Sequence, residues 1–513
     1  MSSITTTGLV SRAARNCLSR GRPGNGTFTG LQKRFVSLQT LDANQKGRER
    51  IVVLGSGWAG YSIARDLDQK KYQVVVVSPR SYFVFTPLLA STAVGTLEFR
   101  TALEPIRSRR SKVEFFQAWA DDVDFGKKTL TIEESVADPW QGRSLVNDQQ
   151  ADDQNDQRTK ERKVEVKKGE LFDVKWDKLV IAVGCYNQTF NTKGVKENAL
   201  FLKDVGDARK IRNRLLSCFE TAALPTTSDE MRKMLLNFAI VGGGPTGIEF
   251  SAEMHDLITE DMKRIYPDLI KYAKITVYDV APTVLSMFDE KLSKYAMNHF
   301  KRSGIDIKTS HHVEELRLGA PAAFQQQGSG AIGADHTCYT IKLKEEGEIG
   351  VGMCVWSTGL MTNPFVQKAL GDKVKRDPKT GGIFTSERLQ VKKGESDEVV
   401  PDVYGIGDCA VMEGTAYPAT AQVASQEANW LAKRFNKGDI EQTKFTYKDL
   451  GIMAYVGDWN AIVQSSGTGV SGRVAWFIWR GAYLAKSVSW RNRILIPIYW
   501  LLNWLFGRDV SRF

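Results

Sequence analysis

Ile51-Val52-Val53-Leu54-Gly55-Ser56-Gly57-Trp58-Ala59-Gly60 is the stretch whose reading decides the fold. Four apolar residues of strand length run straight into glycines spaced G-x-G-x-x-G. A helical pattern follows at Tyr61, Ala64 and Leu67, then a second apolar strand from Val74 to Val77. Strand, glycine turn, helix, strand is the βαβ unit that binds a dinucleotide. Gly55 permits the tight turn. Gly57 lets the backbone approach a pyrophosphate, which the positive end of the helix then holds. Gly60 lets the helix pack on the strand. A glycine turn alone occurs without ligands, and here it is the flanking strands and helix that turn the pattern into a nucleotide site.

The pattern recurs. Asn237-Phe238-Ala239-Ile240-Val241 reads as a strand and leads into Gly242-Gly243-Gly244-Pro245-Thr246-Gly247, with a helix continuing to about Met262. The next strand, Lys274 to Tyr278, ends at Asp279. A carboxylate there accepts hydrogen bonds from both ribose hydroxyls and repels a 2′-phosphate, which favours NADH over NADPH. The gap to Asp279 exceeds the usual ~20 residues, because the helical stretch around Asp256–Tyr272 is long. Glu249 lies one short turn into the second helix. It either complements the helix dipole or faces the nicotinamide, and its position along the chain does not choose between them. Two fingerprints in one chain mean two dinucleotides. The economical reading is a permanent FAD at the first and an exchanging NADH at the second, with Val355-Trp356-Ser357-Thr358-Gly359 closing the second domain.

Between the two sites, Ser78 stands where a ribose-binding carboxylate usually ends the second strand. Ser78-Pro79-Arg80-Ser81-Tyr82-Phe83 and Thr86-Pro87-Leu88-Leu89 follow it. Residues 106–135 read as short strands with a turn at Phe125-Gly126. Residues 141–163 are mostly polar and read as a solvated loop; their acidic patch lacks the spacing of a calcium loop. Leu179-Val180-Ile181-Ala182-Val183-Gly184 is a buried strand ending in glycine, as where a backbone passes close to a cofactor. Further on, Val403 to Asp408 is a strand ending in Gly407-Asp408, and an Asp in that place can bind ribityl hydroxyls. Pro418 and Thr420 mark the start of a helix whose N-terminus can favour an anionic reduced flavin. On it Gln422 and Gln426 share one face. Two neutral amides beside a flavin suit a polar acceptor such as a quinone.

With these motifs assembled, the chain resembles the type II (alternative, rotenone-insensitive) mitochondrial NADH:ubiquinone oxidoreductases of the fungal kind, over residues 50–513. The resemblance rests on Gly55–Gly60, Ser78–Phe83 with Thr86–Leu89, Gly242–Glu249, Gly407-Asp408 and Ala421-Gln422-x-x-x-Gln426, the last being the family's quinone motif. It implies a non-proton-pumping enzyme, often dimeric, with Glu249 near nicotinamide and flavin and with Gln422 and Gln426 lining the quinone pocket. Candidate FAD residues are Gly55, Ser56, Gly57, Gly60, Ser78, Pro79, Arg80, Thr86, Pro87, Val183, Gly184, Gly407 and Asp408. Candidate NADH residues are Gly242, Gly243, Gly244, Thr246, Gly247, Glu249, Asp279, Thr358 and Gly359. The candidate catalytic groups are Glu249, Gln422 and Gln426.

Charge and cysteines set limits. The formal charge is +11, yet residues 1–41 hold six basic residues and no acid, and residues 473–513 hold seven basic residues against Asp509. The basicity therefore sits at the two ends and the body is close to neutral, which argues against nucleic acid as a partner. The first segment, rich in Arg, Ser and Thr, has the composition of a mitochondrial transit peptide, with cleavage expected near Arg34-Phe35. No apolar stop follows it, which favours the matrix side of the inner membrane. The six cysteines form no C-x-x-C, and the five histidines form no metal-binding spacing, so the redox chemistry is expected on organic cofactors without a metal. A sulfide:quinone oxidoreductase is the alternative; it needs two reactive thiols, and Cys185 and Cys409 are the candidates for them.

From Arg473 on, aromatic residues (Trp476, Phe477, Trp479, Tyr483, Trp490, Tyr499, Trp500, Trp504) alternate with Arg and Lys. The apolar run Ile494–Phe506 is shorter than the ~20 residues of a spanning helix and suits a half-immersed helix pair. The expected class is therefore α/β, with two Rossmann-like dinucleotide-binding domains and a C-terminal amphipathic helical region that anchors to a membrane surface or forms a homodimer. The expected boundaries are 1–49 leader and linker, 50–205 and 373–450 FAD-binding, 206–372 NADH-binding, and 451–513 anchor.

Overall fold

The structure, a computed structural model, describes residues 37–108, 111–136, 169–325, 338–394, 396–415, 417–465 and 467–512. The basic leader up to residue 36 and the polar stretch 141–163 lie outside the described residues. Residues 1–46 and 47–513 are two separate units. In the first, Leu38–Ala43 is a short helix whose cap, Ser37, accepts a hydrogen bond from the Thr40 N–H at 3.2 Å.

In the second unit, the runs of Val and Ile read as strands are buried on both faces, as central parallel strands must be. Ile51, Val52, Val53, Val75 and Val76 are fully enclosed. Glu49–Leu54 lies parallel between Tyr72–Ser78 and Lys178–Ile181. Val399–Gly405 adds in parallel beside Lys178–Ile181, so the chain leaves this sheet and rejoins it some two hundred residues later. On the other side Glu114–Asp124 is parallel to Tyr72–Ser78 and then turns back through Thr129–Glu134 and Leu171–Lys175 as an antiparallel meander. Ten strands result. The chain moves outward in both directions from Glu49–Leu54, and the crevice at that strand's carboxyl end is where open α/β sheets bind ligands. Helix α1, Trp58–Asp66, starts there.

The segment between holds a second sheet. Leu200–Phe201, Met353–Trp356, Asn237–Val241, Lys274–Tyr278 and Ile305–Lys308 form five parallel strands. Helix α2, Pro245–Leu257, follows the central strand with its proline at the first turn, where the missing N–H costs nothing. It runs on into one turn of π-helix, Ile258–Met262, and a 3-10 turn at Pro267–Tyr272. These turns account for the long gap before Asp279. Helix α3, Ala421–Lys437, capped by Thr420, returns to the first sheet and lies on α1. The Tyr72 hydroxyl donates to the Phe435 carbonyl at 2.7 Å, and the Asn436 amide pairs with the Asp68 N–H and the Asp66 carbonyl.

The C-terminal region is more than a helix pair. Ile452–Gly457, Asn460–Ser465 and Thr468–Gly472 form a three-stranded antiparallel sheet. Its first hairpin turns at Asp458-Trp459, both at positive φ (51° and 62°). That is the geometry of a two-residue hairpin, built without the Asn-Gly or Asp-Gly signal that normally reveals one. Helix α4, Arg473–Lys486, buries Ala475, Trp476 and Trp479 on this sheet and turns Val474 and Phe477 outward. Helix α5, Trp490–Phe506, buries Asn492 and Ile496 and leaves Ile494, Ile498, Leu501, Leu502, Trp504, Leu505 and Phe506 exposed. Among the described residues no helix is long and apolar enough to cross a membrane.

Beyond α5, Arg508 fastens the chain end to the domain of the second sheet. Its guanidinium donates to Asp261 at 2.6 Å, to Glu260 at 2.7 Å and to the Thr96 hydroxyl at 3.0 Å. Both acids sit on the π-helical turn, whose wider spacing sets them side by side. Arg508→Ala leaves Asp261 buried without its counter-charge and is expected to cost about 3 kcal/mol. Limited proteolysis checks this: faster cleavage after α5 is expected, and wild-type resistance would show that the latch holds nothing.

Candidate active site

At the first fingerprint Gly57 caps α1 without any side-chain hydrogen bond, and a Cβ placed on it would meet nothing within 4 Å. The free N–H groups of the first turn therefore face open space, which is the arrangement that binds a phosphate. Gly55, at φ +107°, lies against the Ala182 carbonyl, and a Cβ on Gly60 would sit 2.1 Å from the Gly55 carbonyl oxygen. Ser56 and Ser78 share a hydrogen bond of 2.9 Å, and the Ser56 hydroxyl is 3.1 Å from the carbonyls of Arg80 and Tyr82. Arg80 is turned to Asp204, 2.7 Å away, which also accepts from the Tyr82 hydroxyl at 3.1 Å. Thr86 accepts from the Trp58 indole at 3.0 Å, and the Pro79 carbonyl accepts from Gln117 at 3.2 Å.

The distant parts of the FAD reading meet at this loop. Gly407, at φ +72°, is wedged where a Cβ would lie 3.2 Å from the Ala59 Cβ of α1 and 3.6 Å from the Ala424 Cβ of α3. Asp408 accepts from the Cys185 thiol at 3.2 Å, next to Val183 and Gly184. Lys203 donates to that sulfur at 2.9 Å, and Asn363 donates to the Val183 carbonyl at 3.1 Å. Gly184, at φ +68°, has open space before it. Glu427, absent from the sequence reading, holds the Gly407 N–H at 2.6 Å, and burial pushes its carboxyl up to about 8. The signal was an acid on the apolar stripe of α3, four residues after Val423.

The second fingerprint repeats the first. Gly244 caps α2 without a side-chain bond and has open space before it, and a Cβ on Gly247 would lie 2.0 Å from the Gly242 carbonyl oxygen. Asp279 accepts from the Gly243 N–H and, at 2.7 Å, from the Ala281 N–H, so its carboxylate is held at the glycine loop. Thr246 is exposed on the first turn. Thr358 lies against the second glycine loop, its Cβ 3.0 Å from a Cβ placed on Gly242. Gly359 meets the first domain: the Gly359 carbonyl accepts from the Gln188 N–H at 3.2 Å, and the Trp356 indole donates to the Gln188 carbonyl at 3.0 Å.

Glu249 has partners that position alone does not reveal. It is 8% exposed and accepts from the Tyr455 N–H and the Trp479 indole, both at 3.1 Å, so it is turned to the C-terminal sheet and α4. Burial pushes its carboxyl up to about 8, with Glu253 one turn later adding to the effect. Gln422 accepts from the Tyr447 hydroxyl and, at 3.0 Å, from the Leu450 N–H, and donates to the Gly451 carbonyl at 3.1 Å. Gln426 pairs with both backbone groups of Lys448, at 2.8 and 3.0 Å. Each amide clasps residues 447–451 like a strand, and each has a second N–H to offer.

A βαβ glycine turn on each of two parallel sheets defines a two-dinucleotide oxidoreductase. Residues 49–428 match the family model "Pyridine nucleotide-disulphide oxidoreductase", and residues 450–509 match "NDH2 C-terminal domain". The chain is similar to the internal alternative NAD(P)H-ubiquinone oxidoreductase A1, mitochondrial, of Solanum tuberosum, with 37% identity covering 93% of this chain and 90% of that one. It is similar to the external NADH-ubiquinone oxidoreductase 2, mitochondrial, of Saccharomyces cerevisiae, with 34% identity covering 93% of this chain and 84% of that one. Among solved structures, NDH2 from Plasmodium falciparum in complex with NADH shares the fold: TM-score 0.73, 24% identity, 90% of this chain and 100% of that one. The chain belongs to the type II, or alternative, NADH:ubiquinone oxidoreductases, within the pyridine nucleotide-disulphide oxidoreductases. The sulfide alternative is the weaker match: the sulfide:quinone oxidoreductase from Aquifex aeolicus has TM-score 0.60 and 16% identity, and burial pushes the thiols of Cys185 and Cys409 up.

Glu249 and Glu427 rise from an ordinary 4.5 to about 8 on folding. Between those values the folded chain binds more protons than the unfolded chain, so stability is full below about pH 4.5 and falls as pH rises through 8. Glu249→Gln is expected to flatten the fall of the thermal midpoint over this window. An unchanged slope would mean that the Glu249 carboxyl is ionised throughout.

Proposed function

We propose that this chain is an FAD-dependent NADH:ubiquinone oxidoreductase in which the two open helix ends hold the two coenzymes and α3 presents the quinone site. The observation that carries the reading is the pair of uncapped, glycine-lined N-termini at Gly57 and Gly244, each with room for a phosphate and no side chain competing for its N–H groups. FAD, when bound, supplies the ring that accepts a hydride from NADH and passes two electrons on. The first turn of α1 binds the FAD pyrophosphate, Ser56 and Ser78 lie at its ribose end, and Asp408 serves the ribityl hydroxyls. The first turn of α2 binds the NADH pyrophosphate, and Asp279 takes the ribose hydroxyls and disfavours a 2′-phosphate.

Gln422 and Gln426 are held rigid by residues 447–451, so their second N–H groups meet a quinone carbonyl without first being ordered. Quinone reduction consumes protons. Glu249 and Glu427 are buried carboxyls whose values near 8 let them hold a proton at working pH and release it. The outward apolar residues of α4 and α5, with the exposed Arg473, Lys486, Arg491 and Arg512, suit an anionic membrane surface, each such cation adding roughly 1 kcal/mol. The relatives' names and the basic leader support a mitochondrial location; the matrix side of the inner membrane rests on the leader alone, which no apolar stop follows, and the uncovered face of α5 leaves room for a homodimer.

Gln426→Ala is expected to slow reduction of a short-chain quinone at least ~10-fold, by loss of an amide donor held in place by Lys448, while rapid mixing shows NADH reducing the flavin at the wild-type rate. Loss of flavin reduction with normal reoxidation would move the quinone site elsewhere. Trp504→Ser with Phe506→Ser is expected to lower co-sedimentation with anionic liposomes while flavin content stays constant. Unchanged co-sedimentation would reject α5 as the membrane face.

A further inference from the structure

A cavity of about 770 Å³ is enclosed by the π-helical turn, the hairpin at Tyr455 and Trp459, and helices α4 and α5. No residue assigned to either coenzyme or to the quinone lines it. Its walls are charged, and nearly every charge already has a partner. Glu253 accepts from Ser91 at 2.6 Å and from Thr96 at 2.7 Å. Asp256 accepts from the Tyr455 hydroxyl and the Asp458 N–H, and Glu260 and Asp261 hold Arg508.

Arg264 is exposed to solvent; Arg480 is the other cation in these walls without an ion pair among the described residues. Its guanidinium carbon lies 4.1 Å from the ring centroid of Trp476 and 4.2 Å from that of Trp500, so an indole covers each face. Its buried Nε has no hydrogen-bond acceptor among the described residues. Stacking offsets part of the cost of burying this cation, but its Nε–H still lacks an acceptor. At the other end the cavity is lined by Leu501, Trp504 and Leu505, which are 54%, 68% and 54% exposed.

A cationic fork at the base and an apolar lip are the two ends of a site for an anionic amphiphile. We propose that this cavity binds one phospholipid, its phosphate on the Arg480 guanidinium and its acyl chains along Leu501, Trp504 and Leu505. A planar guanidinium between two indoles is fixed for bidentate phosphate contact, and the volume takes a glycerophosphate head rather than a bare carboxylate. The orientation rests on α5 facing a membrane, but binding of a soluble lipid does not, so the two ideas fail separately.

The test is equilibrium binding to the flavin-loaded, delipidated full chain, with dihexanoyl-phosphatidylglycerol, inorganic phosphate and octanoate as separate ligands, each ligand counted chemically per flavin. One saturable phosphatidylglycerol per chain is expected, with neither phosphate nor octanoate competing at equal concentration. Arg480→Gln is expected to weaken it at least about tenfold, the loss of a charge-assisted hydrogen-bond pair. Arg480→Lys is expected to fall between, and Arg473→Gln, outside the cavity, to bind as wild type. No saturable lipid on the wild-type chain overturns the proposal, whatever the variants do. Equal binding of phosphate or octanoate overturns the phospholipid assignment, and unchanged binding by Arg480→Gln overturns the site. If Arg480→Gln fails to fold, the wild-type titration and Arg480→Lys decide.

Discussion

A helix can begin on top of a strand's last carbonyl only if the residue above that carbonyl has no side chain. Gly60 over Gly55 and Gly247 over Gly242 meet this condition, with about 2 Å between a hypothetical Cβ and the oxygen below. From this close approach comes a helix N-terminus projecting into the crevice at the carboxyl end of a parallel sheet. With Gly57 and Gly244 as caps, no side chain among the described residues caps the N–H groups there. The two phosphate cradles, the return of α3 onto α1, and the wedging of Gly407 between them all depend on those glycines.

The second sheet's helix carries the link to the rest of the molecule. Along α2 and its π-helical extension, Glu249, Asp256, Glu260 and Asp261 each bond to a group after residue 450: the Tyr455 backbone and Trp479, the Tyr455 hydroxyl, and Arg508. The helix that begins at the second glycine turn is thus fastened along its length to the segment that turns apolar residues outward. Gln422 and Gln426 do the same for α3, clasping the chain just before that unit. Helices α2 and α3 thereby set the position of the outward apolar face.

Both glycine turns, their strands and their helices were legible in the sequence, because they are specified by local spacing. Asp279 was legible as a strand end despite its long gap. The partners of the candidate site residues were not. Arg80 pairs with Asp204 across 124 positions, Glu249 with Trp479 across 230, and Gly407 is held by a glutamate on a neighbouring helix. Such pairings are set by docking, which leaves no periodic trace. The sheet at 452–472 escaped for a different reason. Its hairpin turns on Asp-Trp instead of a glycine pair, and its last strand carries two glycines and little that is apolar. The glutamines were read onto one helix face from their spacing, but the peptide-like clasp that fixes them was invisible until the chain was folded.

The central claim is a relay of electrons between two bound nucleotides and a quinone within a single polypeptide. It is tested most directly by anaerobic titration of the purified, full-length protein with NADH, followed by addition of a short-chain ubiquinone. The account predicts a yellow protein that bleaches with one equivalent of NADH per chain and regains its colour when the quinone is added. Protein that binds no flavin, or flavin that NADH leaves oxidised, would contradict it.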